Sequence, residues 1–104
     1  MNYVVLVGKV VTRPELRETT NGSMVASLEV EVERNFPNSE GKYETDVFLV
    51  TLWKGLAEAS RDNCEVDSVV GVKGRLIAKQ FDTKEGSKFH YCEIVAEKLS
   101  LITK

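Results

Sequence analysis

Lys73, Arg75, Ile77, Lys79 and Phe81 follow one another at two-residue spacing, and this is where the sequence first offers chemistry. Side chains of an extended strand alternate between its faces, so residues two apart share one. The cations and the ring would then stand together, with Val70, Val72, Gly74, Leu76 and Ala78 on the core side. Positive charges beside flat rings suit a chain of phosphates that carries unpaired bases. The cations follow the phosphates, and each stacked base contributes about 1–3 kcal/mol. The plainer alternative is a solvated strand face ending in one aromatic residue. Two further rings favour the first reading. Trp53 closes an alternating apolar run, and Phe36 stands beside Pro37-Asn38-Ser39, a polar stretch poorly placed for a core. As purely structural residues, Trp53 would close the bottom of a barrel and Phe36 would cap its edge. Tyr43 is a weaker candidate, because a loop tyrosine often serves only as amphipathic cover.

The elements that must position these residues are strands. Residues 3–11 are dominated by β-branched side chains and read as a half-buried strand. Pro14 and a polar segment through Asn21-Gly22-Ser23 interrupt it, and Asn-Gly signals a hairpin-type turn because both residues tolerate positive φ. From Met24 the alternation is clean. Met24, Ala26, Leu28, Val30 and Val32 form the expected core face, and Val25, Ser27, Glu29, Glu31 and Glu33 the outer one. Residues 35–42 are rich in turn formers and form an expected hairpin loop, followed by a third strand over 45–53. Good helix formers at 56–62 predict the one helix, of about two turns. A fourth strand over 68–81, a hairpin loop with Gly86 at 82–88 and a last strand over 89–102 complete the order. An all-β domain follows: a five-stranded Greek-key barrel of oligonucleotide-binding (OB) type, with a short helix after the third strand and long hairpin loops.

A chain of 104 residues predicts a single domain spanning residues 1–104. Its formal net charge of −2 runs against the usual basic footprint of a nucleic-acid binder, so the distribution of its 14 Lys and Arg matters more than their number. The first apolar run stops at Gly8-Lys9 with no basic region before it, too soon for a signal peptide or a membrane span, and a cytoplasmic protein without a membrane partner is expected. Cys64 and Cys92 lack a second pair or a histidine at ligand spacing, so buried reduced thiols are expected, with no metal and no cofactor. Glu29, Glu31 and Glu33 could in principle ligate a divalent cation for phosphodiester cleavage. A carboxylate row along one strand more often marks a wet face or a protein contact, only His90 is available as a histidine, and no enzyme is expected.

Five short pieces carry a family resemblance: Asn2 to Lys9 (NYVVLVGK), Pro14-Glu15-Leu16-Arg17, Asn21-Gly22, Trp53 with Leu56-Ala57-Glu58, and Val72-Lys73-Gly74-Arg75-Leu76. In this order and spacing the chain resembles the bacterial single-stranded DNA-binding proteins over nearly its whole length. The resemblance implies an OB fold that wraps single-stranded DNA without sequence preference and serves replication, recombination or repair. It also implies a homo-oligomer, with a tetramer favoured over a dimer, and a possible role for replication or repair proteins as partners. Carried over by position, Trp53 and Phe81 fall on stacking positions and Phe36 falls near a third, while Lys9, Arg34, Lys73, Arg75 and Lys79 become phosphate contacts. Val47 stands where the family often has another aromatic residue. The family's acidic C-terminal tail does not follow Leu101-Ile102-Thr103-Lys104, as expected either of a core trimmed from a longer protein or of a tail-less relative. Phe48, sharing a face with Val50 and Leu52, is expected either in the core or at a subunit contact.

The nearest alternative is a tail-less primosomal replication protein of the same fold, typically dimeric, that bridges DNA to a helicase loader. A sugar-binding OB domain or a scaffold is another, although Lys73, Arg75 and Lys79 would add little to sugar binding.

Overall fold

The computed structural model describes residues 1–104. Its strands are β1 (Val4–Val10), β2 (Leu16–Glu18), β3 (Met24–Glu33), β4 (Thr45–Trp53), β5 (Val69–Asp82) and β6 (Lys88–Thr103), and the helix α1 (Gly55–Asn63) lies between β4 and β5. The five expected strands are all present, and their ends differ from expectation by a residue or so. Only β2 is additional. It has three residues, too few for alternation to reveal, and its pairing with β3 rather than its own composition makes it a strand.

The strands run in the order β1-β5-β6-β4-β3-β2, and a further pairing of β1 with β3 closes the first five into a barrel. This is the five-stranded OB fold, with β2 laid against its side. One edge of β3 serves two partners: β2 along its first half, through Leu16↔Ala26, Arg17↔Val25 and Glu18↔Met24, and β1 farther on, through Lys9↔Glu31 and Val10↔Val30. Closure brings backbones very close at two glycines. A Cβ on Gly8 would collide with the Glu31 carbonyl and one on Gly74 with the Val95 carbonyl. Neither carbonyl can swing aside as a flexible side chain would, so both positions require a residue without a side chain.

Leu28, Val30, Val50, Leu52, Val70 and Val72 fill the barrel, with Ala57 of α1 packed against them. Burying each such Val or Leu contributes roughly 1.5–3 kcal/mol. Ser60 of α1 is also buried, and its hydroxyl donates to the Ala57 carbonyl at 2.8 Å, so the helix brings no unpaired polar group into the core. Two expectations about faces are corrected. Val25, on the outer side of β3, is only 2% exposed, because Arg17 and Trp53 flank it in register. Leu76 and Ala78 are exposed: β1 pairs with β5 only to Gly74 and β4 with β6 only from Ile94, opposite Leu76, so Leu76 lies at the open edge and past it β5 and β6 form a two-stranded arm with solvent on both sides. Phe48 is half-buried on the core side, and the apolar residues that β4 turns outward are Val47 and Leu49.

The β2–β3 and β5–β6 turns use the same device. Thr19 and Thr83 each pair their backbone with the residue four positions on, Ser23 or Ser87, and each threonine hydroxyl donates to that serine's carbonyl. Gly22 and Gly86 adopt φ of 85° and 83°, whereas Asn21 keeps a negative φ, so the expected Asn-Gly turn places its left-handed residue at the glycine alone. Both cysteines are free, as expected, but only Cys64 is buried; Cys92 lies exposed on the arm. Burial pushes the Cys64 thiol above its ordinary pKa, which makes it unreactive.

Candidate nucleic-acid interface

The cross-strand register decides which side chains share the outer face of the barrel. Directly paired residues lie on the same side of a sheet, so Ser27, Thr51, Val95 and Arg75 form one row across β3, β4, β6 and β5. The adjoining row runs through Arg17, Val25 and Trp53. Trp53 is 40% exposed at the end of β4, so its ring is presented to solvent rather than plugging the barrel. The next residue, Lys54, holds φ 55° and ψ −123° at the start of α1, a strained conformation for a residue with a side chain. Its amide donates to the Met24 carbonyl at 2.7 Å, anchoring the turn that follows Trp53.

On β5, Lys73, Arg75, Ile77, Lys79 and Phe81 share the outer face as their spacing predicts. Lys73 has no carboxylate partner; its Nζ lies 4.8 Å from the centre of the Tyr3 ring. Arg75 reaches Glu97 at 3.6 Å and Lys79 reaches Glu93 at 3.8 Å. Both pairs are long and solvent-accessible, so each holds its cation weakly and a phosphate can replace the carboxylate.

Phe81 is not alone at the end of the arm. Phe89 stands directly opposite it, Tyr91 stands opposite Lys79, and the three rings form one exposed cluster. Ring centres lie 5.0 Å apart for Phe81–Phe89, 6.1 Å for Phe81–Tyr91 and 6.2 Å for Phe89–Tyr91. Phe89 and Tyr91 were missed in the sequence. Their two-residue spacing was a usable signal, but only the register of the arm shows that they join Phe81. Tyr3 was missed as well, since its partner Lys73 is seventy positions away along the chain.

Phe36 is 80% exposed on the β3–β4 loop. Internal bonds shape that loop: the Asn38 side-chain oxygen accepts from the amides of Glu40 and Lys42, and Gly41 takes φ 78°. At its base Arg34 forks onto Asp46 with two 3.0 Å bonds and onto Glu44 with a third of the same length. The Arg34 guanidinium holds the Asp46 carboxyl below its ordinary value, chiefly by hydrogen bonding, and the carboxylates in turn raise the Arg34 pKa. Arg34 is therefore surrounded by more negative charge than it carries, unlike Lys73. Because β4 and β6 pair in parallel, the loop bearing Phe36 and the arm bearing Phe81 project from the same end of that pair, and Trp53 marks the other end. The structure thus separates Phe36 from Trp53 by the length of β4, roughly 25 Å.

Lys9 also stands apart. It pairs in register with Glu31 and Val69 and shares a shallow depression with Glu31 and Glu33, at the far end of β5 from Phe81. Glu29 accepts a 2.9 Å bond from the Thr12 hydroxyl, and no group of three or more His, Cys, Asp or Glu side chains is placed to hold a metal ion. No helix is long and apolar enough to cross a membrane.

Residues 1–102 match the model of the single-strand binding protein family. Among similar proteins, single-stranded DNA-binding protein B of Bacillus subtilis is 36% identical over 96 residues, covering 92% of this chain and 85% of that protein. Single-stranded DNA-binding protein 2 of Staphylococcus aureus is 36% identical over 102 residues, covering 98% of this chain and 73% of that protein. The single-stranded DNA-binding protein of Enterococcus faecalis is 33% identical over 102 residues, and the match spans 54% of it. With its closed OB barrel, its exposed rings among lysines and arginines, and a family match along nearly its full length, the chain belongs to the single-strand binding protein family.

Proposed function

We propose that this chain binds single-stranded DNA with little sequence preference, by stacking bases on exposed rings and pairing phosphates with surface cations, and that it catalyses no reaction. One observation carries the reading: Trp53, Arg75, Lys79 and the Phe81–Phe89–Tyr91 cluster occupy one outer face of the sheet. A duplex hides the faces of its bases, so only an unpaired strand can use such rings. Lys73, Arg75 and Lys79 are the principal phosphate contacts, and Trp53, Phe81 and Phe36 the stacking positions. Lys9 and Arg34 contribute less, because Glu31 and Glu33 surround the first and Glu44 and Asp46 engage the second. Protection of transient single strands in replication, recombination or repair, in the cytoplasm, is the role that follows.

The test compares a thymidine oligonucleotide with a duplex of equal length at several salt concentrations. Tight, salt-sensitive binding to the single strand, with quenching of the Trp53 fluorescence, is expected. Equal affinity for the two forms would remove the stacking argument.

We further propose a single-domain subunit that works as a homo-oligomer, with a tetramer favoured over a dimer. Its support is that Val5 and Val7 of β1 and Val47 and Leu49 of β4, the two strands that flank β3, are each more than half exposed, and exposed apolar side chains grouped in this way mark a protein contact. Light scattering behind size-exclusion chromatography tests this, and a monomer at micromolar concentration would refute it.

A further inference from the structure

Three of the five arginines, Arg34, Arg61 and Arg75, are paired with carboxylates, and Arg13 and Arg17 are not. These two line the same depression, about 330 Å³ in volume, on the flank where β2 lies against β3. Its other walls are Thr12, Glu15 and Ser27, so no hydrophobic residue contributes. The Thr12 hydroxyl already donates to Glu29, which leaves the two guanidinium groups and the Ser27 hydroxyl as the available donors. An apolar ligand gains nothing from such a lining. Guanidinium forks with a hydroxyl suit a phosphate oxygen.

The position of the depression identifies the source of that phosphate. Ser27 begins the row that continues through Thr51 and Val95 to Arg75, and Arg17 begins the row that reaches Trp53 through Val25. The depression is therefore the far end of the face that carries Trp53 and the β5 cations. We propose that Arg13 and Arg17 form a further phosphate subsite for single-stranded DNA, engaging the backbone of the strand after it has passed Trp53. This rests on the reading of the chain as a single-strand binder. Glu15 in the lining and Glu29 beside it oppose the phosphate, and Glu15 makes no ion pair with either arginine. Glu15 thus weakens the subsite without neutralising it.

The test uses the full chain, a thymidine oligonucleotide longer than the ~16 nucleotides an OB fold spans, and the double variant Arg13→Gln/Arg17→Gln. Glutamine keeps part of each stem, so Val25 stays covered, and thermal unfolding verifies the fold. Each lost phosphate contact on a single strand removes about 0.7 from the slope of log affinity against log salt, so the double variant should lose about 1.4. At 0.1 M salt this is a loss of about 25-fold. Glu15→Gln should act in the opposite direction and tighten binding several-fold. Unchanged affinity and slope in the double variant, with Trp53 quenching intact, would overturn the subsite and leave the binding function standing. If the unsubstituted chain neither binds the oligonucleotide nor shows quenching, both proposals fall together. Polyglutamate supplies the remaining arm: if it binds in an Arg13- and Arg17-dependent manner while DNA affinity ignores the substitutions, the depression serves an acidic peptide and the proposal is wrong.

Discussion

Two regions of the barrel surface differ in kind although both are built from alternating strands. On β3 and its neighbours, Glu29, Glu31 and Glu33 stand in register with Leu49, Val47 and Thr45 of β4, and Lys9 of β1 meets Glu31. On β5 and β6, Lys73, Arg75 and Lys79 stand with Phe81, Phe89 and Tyr91. The formal net charge of −2 averages these faces and describes neither. A phosphate responds to charges within a Debye length, about 10 Å at 0.1 M salt, so it meets the local surface and not the sum. An acidic chain can therefore bind a polyanion on one side and use the other, acidic and apolar, to meet protein.

The comparison breaks most readily at Trp53. Trp53→Ala should weaken binding of a thymidine oligonucleotide by about 1–3 kcal/mol while the protein stays folded, and Leu49→Ala, at the proposed subunit contact, should cost affinity only so far as it loosens the oligomer, less than Trp53→Ala. Fluorescence anisotropy measures both; equal losses would show that the two faces are not functionally distinct.

Lys54→Gly sharpens the comparison at the edge of the binding face. Glycine relieves a left-handed backbone and should raise folding stability by about 1 kcal/mol in urea unfolding. The cost is one nearby charge. Gly55→Ala at the next position meets nothing within 4 Å and serves as the control.

A smaller effect is expected at Lys73. Removing its charge should lower affinity about fivefold at 0.1 M salt and reduce the salt slope by about 0.7, whereas Glu31→Gln, which relieves Lys9 of one opposing charge, should not weaken binding. A salt slope insensitive to Lys73→Ala would move the phosphate track elsewhere on the surface.

The smallest effect concerns acid. The Asp46 carboxyl titrates below its ordinary value because Arg34 holds it, so its support for the β3–β4 loop is present above the unfolded value and disappears as pH falls through the depressed one. Carboxyl titration by NMR should find Asp46 low, and Arg34→Ala should return it toward the ordinary carboxylate range. Protection of the amides of residues 34–44, taken relative to the intrinsic exchange rate at each pH, should fall in acid while that of the arm, held by other bonds, responds less.

The elements and one functional face were legible in the sequence because both rest on local periodicity. Alternation of Val70 and Val72 against Lys73 and Arg75 needs only the two-residue repeat of a strand, and Leu56-Ala57-Glu58 needs only helix propensity. Clusters that join distant segments were not legible. Phe81 was found and Phe89 was not, since their pairing depends on the β5–β6 register; Tyr3 over Lys73 depends on β1 docking against β5. Arg34 shows the same limit from the other side: its residue type suggested a phosphate contact, and only the fold brought Glu44 and Asp46 against it.

The amino-acid sequence by itself determined the strands, their core-facing residues within the barrel, the single helix and the cations and ring of β5, because burial period and turn chemistry act over a few neighbouring residues. Tertiary structure alone decided that β2 forms, that Leu76 and Ala78 leave the core, and that Arg13, Arg17 and Trp53 occupy one face. The physical reason is register: hydrogen bonds between strands far apart in the chain set which side chains meet, and no local pattern encodes that choice.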